Sequence, residues 1–361
     1  MKMLLLGDIC PTSKNYELFD ADDRAAVFGD ALALFKNHDF SVANIECALT
    51  EHDKGIEKFG PCLKAPLSTA RVLKAAGLDC CGISNNHFFD FGKKGALDSL
   101  TAMKQAELLT VGFGENYEDS RKNLVINDGD KRICIIAVCE SEYSYALPNR
   151  MGSRPYDVYD TPADIRRAKE NADRVIVLYH GGKEHCRYPS PRLLKLCRNM
   201  AECGADLILC QHSHCIGCYE KWNDSHIVYG TGNFLFHYDG EMPDHWFEGL
   251  AVSYNTDENS VGFTPIVHTE RGIELAKGEK KAELLSDFEK RNGELKCGEW
   301  LNGWKEFCES KREFYERIIG NACTPSSTEW ENKAFGHFLE CEAHQDVWRE
   351  LFPTANRRNE L

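Results

Sequence analysis

The chain has 361 residues and a formal charge of −14. That length can bury a sizeable core in one large domain, or in a domain with an appended lobe. The acidic balance, with no local basic patch, argues against nucleic-acid backbones and anionic membranes as partners. The apolar run from Met3 to Leu6 is too short for a secretory or spanning segment and reads as a core strand. Seventeen cysteines without a leader point to reduced thiols and a cytoplasmic chain.

In chain order, a strand over residues 2–6 stops at Gly7-Asp8, and a helix is predicted over 24–36. A strand over 39–45 runs into Glu46, a second carboxylate at a strand end. The stretch 57–65 is a loop carrying Lys58, and a helix over 67–76 is capped by Gly77. A strand over 78–84 and a helix over 95–105 continue a strand-then-helix rhythm, the mark of βαβ units. The glycines at 112 and 114 lack the spacing of a dinucleotide fingerprint. After the turn signal at 127–130 comes a strand over 132–138 with Glu140 and Glu142 beyond its end. A helix over 162–172, a strand over 173–179, a helix over 191–203 and strands over 205–210 and 226–229 follow, with closing β structure over 250–267. Residues 1–273 form the α/β unit, and 274–361 a helical extension packed on it, with helices over 284–291, 299–319 and 332–351.

The chemistry concentrates where apolar runs end. Cys80 to Gly92 delivers an amide and an imidazole on consecutive residues, Asn86 and His87. His180 ends another run, and His212 and His214 a third. A backbone carbonyl satisfies any single strand-end histidine, but four at the ends of three runs fit a borderline metal ion with a proton donor beside it. Open α/β sheets gather sites beyond the carboxyl ends of their strands, where Asp8 and Glu46 also stand. Cys215 and Cys218 form a single C-x-x-C pair; packing accounts for it better than a zinc ribbon or a redox role.

The ordered series Gly7-Asp8, Asn44-Ile45-Glu46, Asn85 to Gly92, His180 to Glu184, His212-Ser213-His214 and Tyr229 to Phe234 resembles the bacterial capsule synthesis protein family CapA, implicated in poly-γ-glutamate capsule synthesis. The resemblance spans about residues 1–270 and leaves out the C-terminal helices. That family is similar to the calcineurin-like metallophosphoesterases, which implies a four-layer α/β/β/α sandwich with a two-metal site at strand ends. It also implies roles. Asp8 binds the first metal, Glu46 bridges, Asn86, His180 and His212 complete the second, and His214 returns to the first. His87 protonates a leaving oxygen or stabilises the transition state.

The mixed imidazole, carboxylate and amide set suits Mn, Fe or Zn. Cys10 stands where the superfamily has a histidine, and Glu46 where it has aspartate, so the expectation is one or two ions. Lys58, Glu140, Glu142, Glu184 and Asn233 are candidate substrate contacts, and Lys58, Lys183 and Arg187 a small basic groove. Two function classes follow. One is a metal-dependent hydrolase of a phosphoester or a γ-glutamyl link; the other is a non-catalytic component binding a polymer or capsule-assembly proteins. Proteins of this family are typically anchored or exported, whereas no anchor is expected here.

Overall fold

A computed structural model describes residues 1–140, 142–238 and 240–353. Along the chain β1 (Lys2–Cys10), β2 (Phe40–Ile45), β3 (Cys80–Gly82) and β4 (Leu109–Val111) lie side by side in parallel. A second sheet then forms from β5 (Leu124–Asp128), β6 (Lys131–Cys139), β7 (Arg174–His180), β8 (Leu207–Gln211), β9 (Tyr219–Trp222) and β10 (Ser225–Val228), in the order β9-β10-β8-β7-β6-β5. The chain returns to the first sheet with β11 (Asn233–Phe236), β12 (Glu248–Asn255), β13 (Ser260–His268) and β14 (Ile273–Leu275), giving β14-β13-β12-β1-β2-β3-β4 with β11 also paired to β1.

Alternation along the strands assigns the layers, because successive side chains point to opposite faces of a sheet. In β1, Met3 and Leu5 face the second sheet with Ile135, Ile176 and Leu209, whereas Leu4 and Leu6 face helices on the outer side. In β7, Ile176 and Leu178 point inward, while Val175, Val177 and Tyr179 meet the helices of the opposite outer layer. Helices α1 (Tyr16–Asp20), α2 (Arg24–Phe28), α3 (Leu32–Lys36), α4 (Ser68–Ala76) and α5 (Gly92–Gln105) cover the first sheet. Helices α6 (Asp160–Lys169) and α7 (Pro191–Glu202) cover the second. The result is a four-layer α/β/β/α sandwich, in the layer order that the metallophosphoesterase resemblance implies.

Several boundaries differ from the sequence reading. The helix expected over 24–36 is broken at Gly29, whose φ of 48° places it in the left-handed region against the carbonyl of Ile273. The expected strand over 2–6 runs on to Cys10, so Asp8 lies inside it. The turn at 127–130 closes a hairpin with β5, and β9 and β11 also escaped the sequence reading. Beyond β14 the chain is helical: α8 (Gly278–Cys297), α9 (Trp300–Ser310), α10 (Arg312–Asn321), α11 (Glu329–Glu340) and α12 (Glu342–Leu351). The helices expected over 299–319 and 332–351 are each split, which lets short segments fold round Trp304, Tyr315, Phe338 and Val347. This cluster also takes in Cys186 and Phe59 from loops at the strand ends, so the C-terminal helices sit over those ends. Residues 354–361 of the expected extension, and Ser141 beside Glu140, lie outside the described residues.

Candidate metal centre

Asp8 owes its position to a local irregularity in β1. The register with β2 slips between Leu6 and Asp8, and β11 joins the same strand at Asp8 opposite Asn233. A Cβ on Gly7 would stand 2.0 Å from the carbonyl oxygen of Gly232, so only glycine permits this approach. Asp8, fully buried, accepts hydrogen bonds from Asn44 Nδ2 at 2.8 Å and from the backbone N–H of His212 at 3.0 Å.

Glu46, one residue beyond β2, is the centre of the arrangement. Its Oε1 lies 3.2 Å from His180 Nε2, 4.0 Å from His212 Nδ1 and 3.9 Å from His214 Nε2. Both oxygens are buried, and neither has a hydrogen-bond partner. Ligand atoms of Glu46, His212 and His214 all lie within 4.8 Å of one another. His180 Nδ1 lies 3.8 Å from Asp8 and His214 Nδ1 3.7 Å from it, while Asn86 Oδ1 is 2.9 Å from His180 Nε2. The structure therefore gathers Asp8, Glu46, Asn86, His180, His212 and His214 at one place, Asp8 from within β1 and the others from the ends of four further strands. His212 and His214 hold φ of 83° and 54°, the left-handed region that non-glycine residues rarely adopt.

Electrostatics there favour a cation. Burial and the neighbouring Glu46 charge push Asp8 up to about 7, and burial pushes Glu46 well above the usual carboxylate range. Burial lowers His180 to about 4 and His212 to about 3, leaving their imidazoles neutral, the form that ligates metals. A dication among these groups would reverse the carboxylate shifts and satisfy the two bare oxygens of Glu46. The donors thus fit the implied metal.

His87 stands beside this cluster on a network of its own. Its Nδ1 is 2.6 Å from Asp90 Oδ2, Lys58 Nζ donates to Asp90 Oδ1 at 2.6 Å, and Asn85 Oδ1 accepts the His87 backbone N–H at 3.1 Å. Although burial opposes its charge, His87 and Lys58 hold Asp90 below the ordinary value. Glu142 receives Asn86 Nδ2 at 2.9 Å and approaches His212 Nε2 at 3.6 Å, and burial together with Glu184 raises it to about 7. A cavity of about 590 Å³ opens here, lined by Lys58, Asn86, His87, Glu142, Glu184 and His212 and roofed by Tyr315 and Phe338. A larger cleft of about 700 Å³ beside Arg192 and Trp304 contains none of the candidate ligands.

The remaining candidates are used differently. Glu140 lies behind the cavity, taking hydrogen bonds from Tyr179 Oη at 2.6 Å, Gly182 N at 3.0 Å and Arg192 at 2.5 Å. Asn233 orients His214, Nδ1 to Oδ1 at 2.9 Å, rather than facing the cavity. Arg187 turns to Glu248 at 3.5 Å, so the basic groove consists of Lys58 and Lys183 with Lys311 from the lobe. Cys10 packs in the outer core with its Sγ toward the Pro11 carbonyl. Sequence reasoning assigned no role to Asn44, which joins Asp8, His180 (3.2 Å) and Asn85 (3.0 Å). Asp90 was likewise missed. Both sit within the quoted motifs, which was the available signal.

Residues 2–238 match the family described as bacterial capsule synthesis protein PGA_cap. The chain is similar to the capsule biosynthesis protein CapA of Bacillus anthracis, 30% identical over 278 residues that cover 74% of this chain and 66% of that protein. It is also similar to the PGA biosynthesis protein CapA of Bacillus subtilis, 28% identical over 274 residues, 72% of this chain and 70% of that one. The chain thus spans about two thirds of the length of these curated relatives. A solved putative 5'-nucleotidase from Staphylococcus aureus superposes with a TM-score of 0.42 at 13% identity, covering 80% of this chain and 58% of that one. With its motifs in order and the match running over most of the sandwich, the chain belongs to the bacterial capsule synthesis protein family PGA_cap.

Proposed function

We propose that the chain is a metal-dependent hydrolase of capsule biosynthesis, acting on an anionic substrate through a phosphoester or a γ-glutamyl amide bond. The observation that carries this reading is Glu46: a carboxyl group with both oxygens buried and without a hydrogen-bond partner amid three imidazoles. Asp8, Glu46, Asn86, His180, His212 and His214 would hold one or two divalent transition-metal ions, of the Mn, Fe or Zn type. When bound, such a cation supplies Lewis-acid polarisation of the scissile bond. Asp8 and Asn44 hold the histidine side of the centre in register through the hydrogen bonds at Asp8 Oδ1 and His180 Nδ1. His87 donates Nδ1–H to Asp90, which fixes the tautomer and leaves Nε2 as the atom that exchanges a proton with substrate. Lys58 and Lys183 in the cavity wall offset the overall negative charge locally and support an anionic substrate.

The test is elemental analysis of purified protein, run with hydrolysis of an aryl phosphate and of a γ-glutamyl polymer before and after chelation. Metal near stoichiometric with protein and a chelator-sensitive rate on either substrate support the reading. The double variant His212→Ala/His214→Ala is expected to lose that metal. Full metal with no turnover of either substrate favours a binding component of capsule assembly instead.

A further inference from the structure

Among the described residues a second group of ligand-type side chains lies in the C-terminal lobe: atoms of His337, Cys341 and His344 all within 4.8 Å of one another. The join between two helices explains the grouping. His337 stands in the last turn of α11 and His344 in the first turn of α12, on either side of Cys341. Helix α11 ends at Glu340, Cys341 is extended with φ of −75° and ψ of 122°, and α12 begins at Glu342, so the group sits at the bend. All three residues line the same 590 Å³ cavity as His87 and His212.

Each side chain is held in place by its surroundings. His344 Nδ1 is 2.6 Å from Tyr315 Oη and its ring stacks on Phe338 with centroids 3.6 Å apart, which leaves Nε2 available. His337 lies between Phe59 and Tyr143, with centroids at 5.5 and 5.4 Å. Cys341 Sγ is 3.9 Å from Glu142 Oε1, the carboxylate that also approaches His212. A role confined to packing accounts poorly for two imidazoles edge-on with centroids 5.1 Å apart and a thiol set against a carboxylate, since apolar side chains fill such a space without burying polar groups. Burial keeps both imidazoles neutral and the thiol protonated, and a dication beside Sγ reverses the latter.

We infer that His337, Cys341 and His344 form a second metal site, which takes a thiophilic divalent cation of the zinc class and faces the cavity with its remaining coordination position. Two imidazole nitrogens and one thiolate are a donor set matched to zinc. On binding, the Cys341 S–H bond breaks, the sulfur keeps the electron pair and donates it to the cation, and the proton leaves to solvent. Glu142 then stands between the two centres, within reach of both. This second site is independent of any hydrolytic reading of the first centre.

Cobalt separates the two centres, because the candidate ligands of the first contain no sulfur. The full chain is stripped with chelator, reloaded with Co2+ and examined in the near ultraviolet for thiolate-to-cobalt charge transfer. The band is expected in the wild type and in His212→Ala/His214→Ala, and absent from Cys341→Ser with one equivalent of cobalt lost. His337→Gln, a change at a partly exposed position, checks the site without relying on the buried thiol, and should weaken cobalt binding at this band by more than about tenfold. No band in the wild type overturns the proposal. So does a band that survives Cys341→Ser, or one whose cobalt affinity is unchanged in His337→Gln.

Discussion

In the proposed hydrolase, Glu46 and His87 divide the labour of the candidate centre between charge and proton. Glu46 is buried without a hydrogen bond, a state that is unfavourable by itself and favourable once a cation is shared with the imidazoles. His87 belongs to a neighbouring network with Asp90 and Lys58, next in the chain to the candidate ligand Asn86. His87→Gln is therefore expected to retain its metal while turnover falls by about a hundredfold. Asn86→Ala, which removes the amide beside His180 Nε2, should instead lower metal content. Metal analysis, melting temperature and rate measured on the same two preparations check this; wild-type turnover in metal-loaded His87→Gln removes that residue from the mechanism.

Two strands give predictions at the next scale. In β1, Gly7 permits the contact with Gly232 that brings β11 alongside Asp8. Gly7→Ala forces a clash that must be relieved by moving backbone, so stability should drop by about 1–3 kcal/mol or more, read from the denaturant midpoint. Metal affinity should fall with it, because Asp8 is the next residue. In β13, burial and the neighbouring His237 lower His268 from the ordinary 6.5 to about 3. Its folded form resists protonation more than its unfolded form does, so its contribution to stability is complete above pH 6.5 and is lost as pH falls toward about 3. His268→Phe should flatten the acid limb of stability against pH by up to one proton in slope; an unchanged limb would show that the ring titrates normally in the fold.

At the scale of the molecule, Arg192 is a partly buried cation that ties the lobe to the sandwich. Arg192, in the first turn of α7, donates to Glu140 at the end of β6 and, at 2.8 Å, to Asp346 of α12, which also accepts from Ser190 at 2.6 Å. Removing the guanidinium leaves two largely buried carboxylates facing each other. Arg192→Met is expected to cost about 2 kcal/mol or more, since a buried pair is expensive to break from one side. The loss should appear first as faster hydrogen exchange in residues 300–351. Because those helices roof the cavity, substrate affinity should weaken more than metal affinity at the strand-end centre. No helix among the described residues is long and apolar enough to cross a membrane.

What the sequence determined by itself was the set of strand ends and the chemistry placed on them. Asp8, Glu46, Asn86, His180, His212 and His214 each follow an apolar run, and a parallel sheet brings the ends of such runs to one edge. The residue types limited what they could do, since imidazoles, carboxylates and an amide at one edge suit a metal. Tertiary structure decided the rest, because it depends on contacts between residues distant in the chain. Glu140 was legible as an acid at a strand end, but only the packing of α7 and α12 shows that Arg192 occupies it. The break at Cys341 lay hidden within an apparently continuous helical pattern, because it serves a lobe core drawn from Phe59, Trp304 and Phe338 together. The placing of that lobe over the strand ends, with His337, Cys341 and His344 in the cavity wall, follows from non-local packing that periodicity does not encode.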